Sequence, residues 1–295
     1  MTQCALCPRR CRARRDQGGR GFCGADQELR VARASLHMWE EPPLSGSKGS
    51  GTVFFSGCSL RCVYCQNRAI SRGQAGKSIT VQRLAEIFLE QQERGAHNLN
   101  LVTGDHYIPQ ILAALTEAKT GGFHLPVVWN CSGYQGLDSL RLLEGFVDIW
   151  LTDFKYLSPE RAERYSMARD YPEVAWAAAE EMFRQQPKAC FDAEGIMQKG
   201  LIFRHLLLPG GLEDGKNVLQ KLFSRFGNRV WYSLMSQYTP MPDLDEYQEL
   251  QRRVTGAEYD ELVDFCVDLG MENAFVQEGE AAEESFIPAF DGEGV

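Results

Sequence analysis

Long hydrophobic runs are missing from this sequence of 295 residues. No stretch approaches the roughly 18 apolar residues from which a membrane-spanning helix is recognised. The N-terminus also lacks the short apolar segment of a secretory signal peptide. We therefore expect a protein without a membrane span that is located in the cytoplasm.

An excess of positive charge is missing as well. The formal net charge is −9, so the overall field of the molecule repels nucleic acid and anionic membrane surfaces. The exception is a basic stretch inside a cluster of cysteines, formed by Arg9, Arg10, Arg12, Arg14 and Arg15. General nucleic-acid binding is therefore not expected, whereas a local contact through these arginines stays open.

Cysteine, in contrast, is abundant. The chain has 10 cysteines, and in a reducing cytoplasm we do not expect them to form disulfides. Seven of the ten fall within the first 65 residues, and such clustering indicates binding of a metal or an iron–sulfur cluster. The other three, Cys131, Cys190 and Cys266, are scattered and are interpreted as core residues.

The composition changes along the chain and predicts two parts. Residues 1–35 are rich in Cys, Arg and Gly and lack a periodic apolar pattern, so we expect a small module that a metal centre holds together. Residues 36–295 are expected to form the main domain with a C-terminal extension. The Pro/Gly/Ser-rich stretch 40–51 is interpreted as a linker or surface loop.

The main domain alternates short apolar runs with amphipathic segments. Six runs predict β-strands, at 51–56, 99–103, 126–130, 147–152, 200–207 and 229–235. Helical patterns separate them, and this alternation predicts an α/β fold with a parallel sheet, either open or closed into a partial barrel. In both architectures ligands bind at the C-terminal ends of the strands, and Cys58 follows the first strand closely.

The loop after the first predicted strand carries Cys58, Cys62 and Cys65 in a C-x3-C-x2-C spacing. Three thiolates suit three irons of a [4Fe-4S] cluster and leave the fourth iron open, as three protein ligands leave one position open on a catalytic zinc. The amino and carboxylate groups of S-adenosylmethionine (SAM) can chelate an open iron, and an electron from the cluster can then break a carbon–sulfur bond. A zinc knuckle is the alternative, but a closed zinc site needs four ligands and no fourth is near.

A second spacing, C-x2-C-x3-C-x11-C, joins Cys4, Cys7, Cys11 and Cys23. Four thiolates form a closed site, either for zinc or for a second iron–sulfur cluster, and the spacing does not separate the two. Because no ligand position is left open, we expect a structural or an electron-conducting role.

The three-cysteine loop, with an aromatic residue before its last cysteine, resembles the signature of the radical SAM superfamily. The whole chain resembles the branch that is similar to pyruvate formate-lyase activating enzyme and that carries an added N-terminal four-cysteine module. The matching blocks are CALCPRRC at 4–11, HMWEEPPLSG at 37–46, FFSGCSLRCVYCQN at 54–67, NCSGY at 130–134, TDFKY at 152–156, RHLLLPG at 204–210, LMSQYTP at 234–240 and ESFIPAF at 284–290. This resemblance implies a partial (β/α)6 barrel, a [4Fe-4S] cluster and SAM.

The resemblance also implies which side chains contact SAM. They are Thr103 and Asp105 at the methionine amino group, Asp153 and Lys155 at the ribose or carboxylate, and His205 in the fifth strand. Asn130 and Ser132, after the third predicted strand, have the short polar side chains that suit the ribose hydroxyls of SAM. The family pattern at the first position is Thr-Pro-Thr-His, from which Gly104-Asp105 departs. Structural alternatives are a polar turn at 130–132, an ion pair at 153–155 and a core histidine at 205. Cys131 lies beside this expected site.

The expected activity is reductive cleavage of SAM to a 5′-deoxyadenosyl radical that abstracts hydrogen from an unidentified substrate. Besides SAM, an electron donor such as flavodoxin or ferredoxin is an expected partner, and the substrate could be a small molecule, a peptide or a protein. One alternative is activation of a glycyl-radical enzyme, which rests on family analogy. Another is a non-catalytic iron–sulfur carrier, which needs neither an open iron nor a SAM site. The aromatic and acidic stretch 275–290 is expected to close the barrel edge or to bind a partner.

Overall fold

The structure is a computed structural model that describes residues 3–277 and 288–295. Its strands are β1 (Leu29–His37), β2 (Ser50–Phe55), β3 (Lys77–Ile79), β4 (Leu99–Val102), β5 (Val127–Cys131), β6 (Ile149–Asp153), β7 (Cys190–Phe191), β8 (Met197–Leu206), β9 (Trp231–Met235) and β10 (Ala274–Val276). Its helices are α1 (Pro42–Ser45), α2 (Arg68–Ser71), α3 (Val81–Glu93), α4 (Ile108–Thr120), α5 (Leu137–Leu142), α6 (Pro159–Ser166), α7 (Tyr171–Gln185), α8 (Leu212–Phe226) and α9 (Gly256–Asp268). No helix of these two ranges is long and apolar enough to cross a bilayer.

The strands form one sheet in the order β10-β9-β8-β6-β5-β4-β2-β1-β3, with β7 paired beside β8. The six predicted strands are β2, β4, β5, β6, β8 and β9, and each pairs in parallel with the next. The prediction of an α/β fold with a partial barrel is therefore confirmed. Four strands lay outside that prediction: β10 extends the sheet in parallel, β1 and β3 continue it in antiparallel fashion, and β7 pairs with β8 in antiparallel fashion.

Local signals account for several helix boundaries. Thr80 accepts a hydrogen bond from the backbone N–H of Arg83 and begins α3, and Ser158 does the same for α6 before a proline in the first turn. Such caps satisfy backbone donors that have no partner within the helix. Apolar faces such as that of α3, with Leu84, Ile87 and Phe88, then pack against the sheet.

Alternate residues of each parallel strand face opposite sides, and this alternation separates the core into two layers. Side chains such as Trp129 and Phe203 face outward and pack against the helices. Side chains such as Val128 and Ile202 face the barrel interior, where they form a smaller apolar cluster. Inward-facing polar side chains follow that cluster toward the C-terminal ends of the strands, so the site that they form lies inside the barrel.

The interpretation of 40–51 as a linker or surface loop is wrong for its first half. Glu41, Pro43, Leu44 and Ser45 are buried, and Leu44 packs into the inner apolar cluster against strand residues such as Val128. The stretch therefore closes the barrel at the N-terminal ends of the parallel strands. Its Pro-rich composition reflects the tight turn into α1 rather than exposure to solvent.

The N-terminal segment packs directly on the three-cysteine loop. The Arg9 guanidinium donates to the carbonyl oxygens of Ser59, at 2.9 Å, and Ser166, at 3.0 Å, and lies 4.0 Å from the centre of the Phe22 ring. The expected boundary at residue 35 falls within β1, which is hydrogen-bonded into the main sheet. We therefore describe residues 3–28 as a module that is docked on the barrel.

The C-terminal segment 288–295 runs along β1. The backbone N–H of Ala34 donates to the carbonyl of Glu293 at 2.9 Å, and Phe290 packs against Phe54 with ring centres 5.4 Å apart. Of the stretch 275–290, residues 278–287 lie outside the described part of the chain. Pro288 borders the barrel cavity, so the described end of the chain does reach the edge of the barrel.

Gly57 lies where the module meets the three-cysteine loop, and it has a φ of 98°. A Cβ on Gly57 would lie 2.6 Å from the carbonyl oxygen of Cys23, whereas a Cβ on Gly73, at φ 71°, would meet nothing within 4 Å. We expect Gly73→Ala to lower the free energy of unfolding by roughly 1–2 kcal/mol through backbone strain alone. Gly57→Ala should lower it by roughly 1–3 kcal/mol more, because the module must move. Denaturant unfolding of the two variants measures this difference, and equal losses would contradict the docking.

Candidate active site

A cavity of about 420 Å³ occupies the interior of the barrel. The three cysteines of the loop after β2 border one end of it. The inner faces of the strands contribute Asn130, Asp153, Arg204, Ser233 and Met235, and the stretch after β1 contributes Glu40 and Glu41. The residues just after β4, β5 and β6 contribute Thr103, Ser132 and Lys155. Thiols, carboxylates, cations and neutral polar groups therefore face a common space.

The loop that follows β2 brings Cys58, Cys62 and Cys65 together at the C-terminal ends of the strands. Two of the sulfurs already accept hydrogen bonds: the backbone N–H of Leu60 lies 3.4 Å from Cys58 Sγ, and the Ser166 hydroxyl lies 3.0 Å from Cys62 Sγ. Hydrogen bonds to thiolate sulfur are among the features that set the reduction potential of an iron–sulfur cluster.

Burial disfavours the thiolate form of Cys58 and Cys65. It raises the pKa of Cys58 to about 12, with a further contribution from Cys62, and it also raises the pKa of Cys65. A free thiolate is therefore disfavoured at neutral pH, and the sulfurs become thiolates when a metal replaces the proton. This donor set, soft sulfur at the edge of a cavity, fits an iron–sulfur cluster.

Five of the seven side chains predicted to contact SAM border the same cavity as the three thiols. They are Thr103, Asn130, Ser132, Asp153 and Lys155. The hydroxyl oxygen of Ser132 is buried and has no hydrogen-bond partner within the described residues, so it offers an unused polar group to a ligand. Cys131 also borders the cavity, and burial raises the pKa of its thiol.

Asp153 lies at the centre of an ion-pair network in the cavity wall. It accepts from Lys155 Nζ at 2.6 Å and from Arg204 Nε at 2.9 Å. Burial alone would raise the pKa of Asp153, but the two cations outweigh it and lower the pKa. Burial would likewise lower the pKa of Lys155, yet Asp153 raises it to about 12. Both groups are therefore charged at neutral pH.

The predicted SAM contacts at Asp105 and His205 are not brought to the cavity. Asp105 accepts from Trp129 Nε1 at 3.1 Å in the layer between the sheet and the helices. His205 Nδ1 is 2.8 Å from the carbonyl oxygen of Phe154, and its ring lies next to Gly215 of α8. The reason is strand alternation: in β8 the neighbouring residue Arg204 has the inward position.

Sequence reasoning missed three charged side chains of the cavity. Arg204 donates to Asn130 Oδ1 at 2.6 Å as well as to Asp153, and its Nη1 lies 3.5 Å from Glu40. Glu40 also accepts from Asn100 Nδ2 at 3.0 Å, and Glu41 borders the cavity beside it. In the sequence, the two glutamates were marked only by their position in the block at 37–46 that matches the family, and that block by itself does not indicate a function for them.

The four N-terminal cysteines lie near one another in the docked module. Cys4, Cys7 and Cys23 are buried and Cys11 is exposed. A Cβ on Gly21 would lie 2.8 Å from Cys11 Sγ and 3.6 Å from Cys23 Sγ, so only glycine fits between these two sulfurs. Within residues 3–277 and 288–295, no three His, Cys, Asp or Glu side chains are grouped closely enough for a single metal ion. A cubane cluster is held differently, since each thiolate binds its own iron.

The buried Asp105 carboxyl predicts a pH-dependent stability. Burial raises its pKa to about 6, above the value of an unfolded chain, so the native state binds this proton more tightly. Stability from this group is present below pH 4 and is lost as the pH rises to about 6, a change of roughly 3 kcal/mol. Asp105→Asn should remove that loss, because asparagine can keep the bond from Trp129 without a charge.

Denaturant unfolding between pH 4 and 8 measures the effect, with Asp138→Asn, at an exposed side chain, as the control for losing one carboxylate. If the Asp105→Asn curve runs parallel to the wild-type curve, the buried and partly unpaired state of Asp105 is contradicted.

Comparison with known proteins gives matches of three kinds: to a family profile, to a protein sequence and to solved structures. The sequence profile of the radical SAM superfamily matches residues 52–192. An uncharacterized protein of Methanocaldococcus jannaschii is 30% identical over 273 residues, which cover 90% of this chain and 75% of that protein.

Among solved structures, HydG, a maturase of the [FeFe]-hydrogenase, is similar with a TM-score of 0.49 and 15% identity. The match covers 80% of this chain but only 53% of the HydG chain.

The profile match begins in β2, the strand that leads into the three-cysteine loop, and it extends through β4, β5 and β6 to β7. The loop itself, with its three thiols at the edge of the barrel cavity, thus lies inside the matched region. The chain belongs to the radical SAM superfamily.

Proposed function

We propose that this protein cleaves SAM reductively at a [4Fe-4S] cluster bound by Cys58, Cys62 and Cys65, and that the resulting radical abstracts hydrogen from a substrate inside the barrel. The observation that carries the proposal is the shared cavity: the three thiols and five predicted SAM-contacting side chains border one space. An iron–sulfur carrier would not need such a space behind its cluster.

The cluster, when bound, supplies the electron that breaks a carbon–sulfur bond of SAM to give methionine and a 5′-deoxyadenosyl radical. The protein's part is to bind and orient SAM and to keep water away. We propose that Asn130 and Ser132 hold the ribose hydroxyls, for which short polar side chains are suited. Lys155, fixed by its 2.6 Å bond to Asp153, provides a positive charge for a carboxylate. Thr103, with a φ of 57°, is the remaining polar contact at the end of β4.

The branch similar to pyruvate formate-lyase activating enzyme remains part of the proposal. Its support is the set of sequence blocks that the chain shares with that branch, from the N-terminal cysteines to the C-terminal segment. Activation of a glycyl-radical enzyme would require a partner protein to reach the cavity.

We further propose that Cys4, Cys7, Cys11 and Cys23 bind a second metal centre, zinc or iron–sulfur. Its position supports a link with the cluster, because the Cys23 carbonyl oxygen would lie only 2.6 Å from a Cβ on Gly57, the residue next to Cys58. An external donor such as flavodoxin or ferredoxin would supply the electron. Reduced thiols and iron–sulfur chemistry fit a reducing compartment, so we propose a cytoplasmic location.

Formation of 5′-deoxyadenosine tests the proposed reaction. The protein is reconstituted anaerobically with iron and sulfide, reduced and mixed with SAM, and the product is quantified. We expect product from the wild type and none above background from the Cys58→Ala/Cys62→Ala/Cys65→Ala variant. Cys190→Ala, at an exposed cysteine far along the chain, is the matched control and should retain the activity. A wild type that holds a reduced cluster yet gives no product would instead support the carrier function.

Metal analysis tests the second centre. In the variant that lacks Cys58, Cys62 and Cys65, we expect iron or zinc to remain bound, because the module keeps its own four thiols. Replacement of those four cysteines as well should remove it. The full-length chain is used because β1 anchors the module to the sheet. Loss of all metal in the three-cysteine variant would refute the second centre, and the measured ratio of sulfide to metal distinguishes a cluster from zinc.

A further inference from the structure

The cavity has two chemically different ends. β1 pairs with β2 in antiparallel fashion and its last residue, His37, lies opposite Ser50, where β2 begins. Glu40 and Glu41 therefore enter the barrel near the end of β2 opposite to the cysteine loop, and β2 itself is roughly 17 Å long. The Glu40 carboxylate extends from there to Asn130, 3.4 Å away. The thiols and the two glutamates nevertheless border the same cavity.

The two glutamates differ in their hydrogen bonds. Glu40 Oε1 accepts from Asn100 at 3.0 Å and from Asn130 at 3.4 Å, and its other oxygen lies 3.5 Å from Arg204. Glu41 is only 8% exposed, and its Oε2 has no hydrogen-bond partner within the described residues. A buried acceptor without a partner costs free energy, so Glu41 is suited to receive a donor from a ligand.

The charges of the cavity wall are also unequal. Its described part carries three carboxylates, on Glu40, Glu41 and Asp153, and two permanent cations, on Lys155 and Arg204. Both cations bond to Asp153, and Arg204 also lies beside Glu40. Among the described residues no cation lies in hydrogen-bond contact with Glu41, although the charge of Arg204 acts on it from farther away and lowers its pKa. Burial raises the pKa of both glutamates, which lie within hydrogen-bonding reach of each other, to about 7 for Glu41.

We propose that Glu41 binds a positively charged nitrogen of the substrate, a protonated amine or a guanidinium. The proposal rests on the function proposed above and names the substrate class for the same cavity. A bound cation gives Glu41 Oε2 its missing donor and balances the third carboxylate of the wall. The cysteines border the other end of the cavity, so we propose that a second molecule can bind at the glutamate end while SAM is bound.

SAM itself carries an ammonium and a sulfonium, so a nitrogen cation at Glu41 could come from SAM or from a separate substrate. The proposal assigns it to the substrate. A test must therefore be made with SAM already bound, and it must also measure the affinity for SAM.

The test is calorimetric titration of the reconstituted, unreduced enzyme saturated with SAM. The probes are n-pentylammonium, its neutral analogue pentan-1-ol and the anion pentanoate. We expect the wild type to bind pentylammonium at least about ten-fold more tightly than pentanol, as a charge-assisted hydrogen bond implies. Glu41→Gln should lose this preference and keep the SAM affinity of the wild type. Glu93→Gln, at an exposed residue of α3, makes the same chemical change outside the cavity and should behave as wild type.

Several outcomes would overturn the proposal. For the wild type, they are the absence of saturable pentylammonium binding or a stronger binding of pentanoate. For Glu41→Gln, one is an unchanged preference for pentylammonium over pentanol. The other is a loss of SAM affinity, which would mean that Glu41 binds the cation of SAM itself. Glu41→Asp, which keeps the charge, should retain the preference if Glu41→Gln does not fold. Since the titration needs no reduction or turnover, a failure of SAM cleavage would leave its result unaffected.

Discussion

The ion pair between Asp153 and Arg204 is the interaction on which the rest of the cavity depends. The two residues are register partners on the neighbouring strands β6 and β8, so both side chains face inward at one height of the barrel. Asp153 fixes Lys155, and Arg204 reaches Asn130 and Glu40, so three further polar or charged contacts follow from one pair. Removing one partner of a buried pair typically costs about 3–5 kcal/mol, because the other charge is left uncompensated.

This network links the two ends of the cavity. Lys155 and Asn130 stand near the C-terminal ends of their strands, on the side of the cysteine loop, while Glu40 comes from the opposite end. The same network therefore positions the side chains proposed to bind SAM and the glutamate end of the cavity, where we propose that the substrate binds. The docked module adds a third element, since Arg9 ties the cysteine loop to the carbonyl of Ser166, whose hydroxyl contacts Cys62.

Much of this arrangement could be predicted from the sequence because it is local. Apolar runs with helical segments between them identify six parallel strands, and the spacing of Cys58, Cys62 and Cys65 places three thiols on one loop. The position of Arg204 could not be predicted in this way. Whether 204 or 205 faces inward depends on the register of β8 with β6, which hydrogen bonds between distant segments determine.

The buried glutamates show a second limit of local reasoning. Glu40 and Glu41 stand in a stretch whose prolines, glycines and serines indicate a turn but do not tell which side of the barrel the turn closes. That depends on the antiparallel pairing of β1 with β2, a contact that the pattern of alternating strands and helices did not contain. The proposed substrate-binding end of the cavity thus follows from tertiary structure alone.

Electron-nuclear double resonance on the reduced enzyme tests the central claim most directly, namely that three cysteines bind a cluster with one open iron that SAM occupies. With SAM labelled by ¹⁵N at its methionine amino group, the account predicts a changed cluster signal and a ¹⁵N hyperfine coupling. A cluster signal that is identical with and without SAM, and shows no ¹⁵N coupling, would contradict it, because SAM would then not be bound to the iron.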